Sequence, residues 1–96
     1  MKKERAGIIH FLTQEEGGRQ HPPICKVYYP TTHIAQLKQP HWSIVITFDE
    51  PIKEGMYSAL CKVRFLFEHA PQYILDELEE MEVYEGARLV GKIVFE

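Results

Sequence analysis

The sequence predicts an all-β fold: a single closed antiparallel β-barrel of about six strands, with one short helical insertion at about 71–81, in one domain covering 1–96. Three observations predict it. Apolar and polar residues alternate with period two in two long runs, at 41–48 and from 57 onward. Proline and glycine break the chain between such runs at short intervals. A chain of 96 residues has room for one hydrophobic core.

The elements follow in order. Ile8 to Leu12 is a short apolar strand, closed by the turn Gly17-Gly18. Cys25, Val27 and Tyr29 alternate as a brief inward-facing run between Pro22-Pro23 and Pro30. Trp42, Ile44, Ile46 and Phe48 share one strand face, while His41, Ser43, Val45 and Thr47 share the other. Pro51 and Gly55 mark the next turn. Tyr57, Ala59, Cys61, Val63, Phe65 and Phe67 then point inward, with Ser58, Lys62, Arg64 and Glu68 outward. The segment 71–81 changes period. Ile74, Leu75, Leu78 and Met81 form one helical stripe, with Pro71, Asp76 and Glu77 suited to a first turn. Leu89, Ile93 and Phe95 close the chain, and Gly91 among them suits a close backbone approach or a barrel corner. The expected core is Trp42, Ile44, Ile46, Val63, Phe65 and Ile93.

The composition narrows the function classes. Residues 1–48 carry six Lys/Arg against three Glu, net +3; residues 49–96 carry five against eleven Asp/Glu, net −6. No basic stripe of the kind that gives sequence-independent nucleic-acid affinity is visible. No apolar stretch approaches the ~20 residues of a membrane-spanning helix. The basic start Met1-Lys2-Lys3-Glu4-Arg5 precedes too short an apolar run for a secretory signal, so a cytoplasmic protein without a membrane partner is expected. Cys25 and Cys61 form no CxxC and read as reduced, packed residues rather than a disulfide or a nucleophile. His10, His21, His33, His41 and His69 show no HxH or HExxH spacing. Convergence on a metal would therefore require the fold to bring them together. No phosphate-binding loop is present, and Gly17-Gly18 and Gly86 read as turns, so no nucleotide cofactor is expected.

Two stretches carry a family resemblance. The first is Glu16-Gly17-Gly18-Arg19-Gln20-His21-Pro22, directly after the Ile8–Leu12 strand. The second is the hairpin Val83-Tyr84-Glu85-Gly86-Ala87-Arg88-Leu89-Val90-Gly91-Lys92-Ile93-Val94-Phe95. Together they resemble the C-terminal β-barrel domain of the elongation factor Tu family, here stand-alone and divergent. An acidic-Gly-Gly-Arg turn opens that barrel and a hairpin of the type Arg-x-Val-Gly-x-Gly-x-Val closes it. Thr31-Thr32 matches the family's Thr pair, followed by His33 in place of Asp. The segment Lys26-Val27-Tyr28-Tyr29 is shorter than its counterpart, and 71–81 replaces a short connection.

The resemblance implies a barrel that binds and performs no chemistry. A non-catalytic module engaging a protein partner is the expected function. Its expected partner surface is the acidic face Asp76, Glu77, Glu79 and Glu80. The alternative is an RNA- or tRNA-binding accessory protein, with Arg19, Lys26, Tyr28, Tyr29 and His33 as an RNA-facing rim that combines phosphate contacts with stacking. A small metal-dependent enzyme is a third and weaker reading.

Overall fold

The alternating runs become strands because each buries one face and wets much of the other, although in the strand 41–48 Val45 is buried as well, on the face opposite Ile44 and Ile46. In the computed structural model, which describes residues 3–96, the order is β1 (Arg5–Phe11), β2 (Val27–Tyr28), β3 (Thr31–His33), β4 (His41–Phe48), β5 (Ser58–Phe65), α1 (Ile74–Glu77), β6 (Glu80–Glu85) and β7 (Arg88–Phe95). Met1 and Lys2 of the basic start lie outside the described residues.

Six strands close on themselves in the order β1–β5–β4–β3–β6–β7 and back to β1, all antiparallel. The seventh, β2, continues the line of β3 along the same β4 edge. Val27 opposite Thr47 and His33 opposite His41 belong to one unbroken register. Pro30 explains the gap between them. Its carbonyl accepts from the Ile44 N–H at 3.0 Å, but proline has no N–H to return the second bond of that pair.

The seam between β3 and β6 is the shortest. Thr31 opposite Tyr84 is its one register pair. Side chains supplement it: the Thr32 hydroxyl donates to the Glu82 carbonyl at 2.7 Å and that of Thr31 to the Tyr84 carbonyl at 3.4 Å. Thr32 is the one buried polar side chain among the described residues.

The interior is filled by Ile9, Ile44, Ile46, Phe48, Val63, Phe65, Val83, Val90 and Ile93, each essentially inaccessible to solvent. Gly91 sits where expected for a close approach: a Cβ there would lie 2.7 Å from the His10 carbonyl oxygen. The hairpin joining β6 to β7 turns through Gly86 at φ 60° followed by Ala87 at negative φ, the pattern of a type II′ turn.

Five details of the sequence reading change. Trp42 is half-buried at the barrel mouth rather than in the core. Val27 and Tyr29 face outward and Tyr28 inward, so the phase of that brief run is reversed. Val90 rather than Leu89 is buried, because β7 carries one extra residue opposite the Val83–Tyr84 step, a bulge that flips the alternation. Phe67 is exposed, since β5 ends at Phe65. The helix is the single turn Ile74–Glu77, and the chain is already extended at Leu78. Glu80 and Met81 belong to β6, where Met81 and Val83 begin a period-two run.

The apolar stripe of the insertion nonetheless packs inward. Ile74, Leu75 and Leu78 join the core and cap one end of the barrel. Arg5 clasps this cap. Its guanidinium donates to the Leu75 and Leu78 carbonyls, the unpaired acceptors at the end of the turn, and lies 4.4 Å from the Phe95 ring centroid.

Two substitutions test this architecture by urea unfolding. Phe65→Ala removes a fully buried ring and is expected to cost ~3–5 kcal/mol. Thr32→Val keeps the shape but leaves the Glu82 carbonyl without its donor, for a loss of ~1–3 kcal/mol, while Thr32→Ser retains most of the stability. Equal stability of the Val and Ser variants would show that the hydroxyl does not hold the seam.

Candidate partner-binding groove

Several aromatic side chains lie at the capped end of the barrel because three connections meet there. The β3–β4 loop supplies Leu37 and Gln39, and the start of β4 supplies Trp42. The segment after β5 supplies Phe67 and His69, and the insertion supplies Pro71 and Tyr73. Trp42, His69, Pro71 and Tyr73 line an open groove of about 540 Å³ with Leu37 and Gln39. Trp42 is fixed by its indole N–H, which donates to the Gln39 carbonyl at 2.8 Å. Its ring stands edge-on to His69 at 5.6 Å, and His69 lies 5.5 Å from Phe67. The Gln72 amide ties the segments together by donating to the Phe67 carbonyl at 3.2 Å. Tyr73 is 60% exposed and Phe67 48%. Single exposed apolar residues are ordinary, but a concave aromatic cluster with a pinned tryptophan has the composition of a binding hot spot.

The groove offers flat apolar faces and side-chain amides, with no nucleophile beside a base. Among the described residues no group of three or more His, Cys, Asp or Glu side chains converges. A larger concavity of about 610 Å³ lies along the outer wall, lined by Ile8, Met56, Ala59 and Leu60 with Asp49 and Glu50 at its margin. It is aliphatic and has no aromatic anchor. No helix among the described residues is long and apolar enough to cross a membrane.

The expected RNA-facing rim does not assemble as one surface. Arg19 and Tyr28 converge on a single acceptor, the Glu85 carboxylate, Arg19 as an ion pair and Tyr28 through its hydroxyl. Desolvation works against the Arg19 charge, but the Glu85 partner outweighs it and raises the guanidinium pKa. Burial, reinforced by the Glu85 carboxylate, pushes the Tyr28 hydroxyl well above its usual range. The Tyr28 ring packs against Phe11 at 6.2 Å, which leaves it unsuited to stacking on a base. Lys26 donates to the Asp49 carbonyl at 2.7 Å, Tyr29 is exposed on the outer wall, and His33 pairs with His41.

The acidic surface is likewise divided. Asp76 is ion-paired with Lys3 and Glu80 with Lys92 at 3.3 Å. Glu77 and Glu79 are exposed and make no ion pair with a described residue. The aromatic cluster itself escapes a reading of the chain, because its members stand up to thirty-one positions apart and only the fold brings them together.

Comparison with family models and with curated proteins finds no match for this chain.

Both cysteines are free thiols, Cys61 buried and Cys25 half-buried. Burial pushes the Cys61 thiol up to about 12 and raises Cys25 as well. Buried and held as the thiol at pH 8, Cys61 should not react, and the folded protein should release one equivalent of a thiol-reactive chromophore, from Cys25, with the second appearing only in denaturant. The unfolded thiol ionises first, near ~8.5, so stability contributed by the protonated Cys61 is present below that pH and is lost as pH rises toward 12. Rapid release of two equivalents from folded protein would contradict the buried position of Cys61.

Proposed function

We propose that this chain is a non-catalytic binding module that engages a protein partner through the aromatic groove at the capped end of its barrel. The observation that carries the proposal is the convergence of Trp42, His69 and Tyr73, with Phe67 beside them, on one exposed concavity. Protein interfaces are enriched in such residues, and large aromatic anchors dominate their energetics. Stacked nucleic-acid bases use aromatic faces too, but their phosphates need cations nearby. Here Lys38 is the one lysine or arginine lining the groove, while the exposed Glu68 lies within Phe67–Tyr73 and the exposed Asp76 and Glu77 follow it in the sequence.

Kinship with the C-terminal barrel of the elongation factor Tu family belongs to the same proposal. Its support is the six-stranded closed barrel and the way the two motif-bearing ends touch. Arg19 of the opening turn pairs with Glu85 of the closing hairpin, and the Leu12 N–H donates to the Val90 carbonyl at 2.9 Å.

The test compares wild type with Tyr73→Ala, Phe67→Ala and the double reversal Glu77→Lys, Glu79→Lys. All four positions are exposed, so melting temperature should barely change. Capture of partner from native cell extract should be lost in the two aromatic variants and weakened by charge reversal if the partner is basic. A parallel titration with tRNA at two salt concentrations should show no binding. Partner capture that survives in both aromatic variants, or tRNA binding that weakens steeply with salt, would overturn the proposal.

A further inference from the structure

On the outer wall, His33 of β3 stands directly opposite His41 of β4, with ring centroids 4.8 Å apart. The hydrogen-bond pattern defines which kind of pair this is. The Ile34 N–H donates to the Pro40 carbonyl at 2.8 Å and the Ile44 N–H to the Pro30 carbonyl at 3.0 Å. Bonded pairs thus fall at 34/40 and 30/44. The intervening 33/41 pair is therefore non-hydrogen-bonded, the geometry in which facing side chains approach most closely.

The surroundings leave this pair available. His10 bonds the Ser58 hydroxyl at 2.9 Å and His21 the Pro22 carbonyl at 3.3 Å, whereas neither imidazole of the 33/41 pair makes a hydrogen bond to a described residue. Both open onto a shallow pocket of about 250 Å³, where Thr31 and Tyr84 supply further oxygens. The backbone beneath is fixed, because Thr32 and Ile34 on either side of His33 are buried.

We infer that His33 and His41 form a two-histidine chelate for a divalent late transition-metal ion such as Ni²⁺, Cu²⁺ or Zn²⁺. Neutral imidazole is the ligand such ions favour, with bonds of ~2.0–2.1 Å in the case of zinc. Two nitrogens from adjacent strands provide a bidentate grip, and water completes the shell with room for an exchangeable ligand. Bound metal would staple β3 to β4 next to the short β3–β6 seam. The inference is independent of the aromatic groove, which lies on other residues.

The probe is NiCl₂ alone. Calorimetric titration of the folded chain at pH 7.5 should show one saturable equivalent and a melting temperature that rises with nickel, since the ion binds the native state in preference to the unfolded chain. Binding should weaken on acidification, because metal and protons compete for the same imidazole nitrogens. His33→Asn and His41→Asn should each abolish it, and His10→Asn should leave it intact. Paramagnetic broadening in the wild type gives a readout that needs no variant to fold: the ring resonances of His33 and His41 should disappear at substoichiometric nickel, before those of His10, His21 and His69. Absence of saturable binding, binding retained in both single variants, or earlier broadening of any other histidine would overturn the assignment.

Discussion

Closure of the sheet at the β3–β6 seam is the constraint on which the rest of this structure depends. An antiparallel sheet of this size with open edges exposes unpaired backbone groups, and a barrel removes them only if the last two strands meet. Here they meet along a single register pair, Thr31 with Tyr84. The buried Thr32 hydroxyl adds a bond to the Glu82 carbonyl, and Glu85 receives both Tyr28 and Arg19. Side chains thus do what the backbone ladder cannot. Pro30 breaks the neighbouring β4 edge instead: its backbone faces β4, and it separates Val27–Tyr28 from Thr31–His33. A buried hydroxyl is tolerated because its donor capacity is satisfied; unsatisfied, it would oppose folding.

The barrel is legible in the sequence, while several of its details are not. Period-two alternation at Ile44, Ile46, Val63 and Phe65 reports burial directly, and those four residues are fully enclosed. Alternation fails where geometry adds or removes a residue. The bulge at Val90 reverses the phase of β7, and nothing local in Leu89-Val90-Gly91 announces it. Tyr28 turns inward because its hydroxyl finds Glu85, fifty-seven positions away, a partner invisible to any window of sequence. The helical stripe at 71–81 mixed two signals. Ile74, Leu75 and Leu78 cap the core from one turn of helix, and Met81 already belongs to the alternation of β6. One apolar residue fitting both periods was enough to extend the helix by a turn or more.

Candidate sites were less legible than the fold for a related reason. Charge and aromaticity mark side chains that can bind, but not whether the fold has already engaged them. Arg19 and Tyr28 carry the chemistry of an RNA rim, yet both are committed to Glu85 within the molecule. Asp76 and Glu80 carry the charge of a partner surface, yet each has a lysine beside it. Among the residues left uncommitted are Glu77 and Glu79, then Tyr73 and Phe67, which no sequence motif distinguished, and the pair His33–His41, whose spacing of eight residues becomes adjacency only through the β3–β4 hairpin.

Arg5 links the closed barrel to its capped end. It sits at the start of β1, yet its guanidinium reaches the carbonyls that end the insertion's single turn and covers the Phe95 ring at the close of β7. A four-residue turn cannot persist alone in water, because nucleation costs more than one or two hydrogen bonds return. Its order must come from tertiary packing: Ile74, Leu75 and Leu78 in the core, and Arg5 across the free carbonyls. Tyr73 directly precedes that turn, and Gln72 ties it to the Phe67 carbonyl. The aromatic groove is therefore a consequence of how the barrel is capped. Its walls are preorganised by core burial, so an association there would order few side chains beyond the exposed rings.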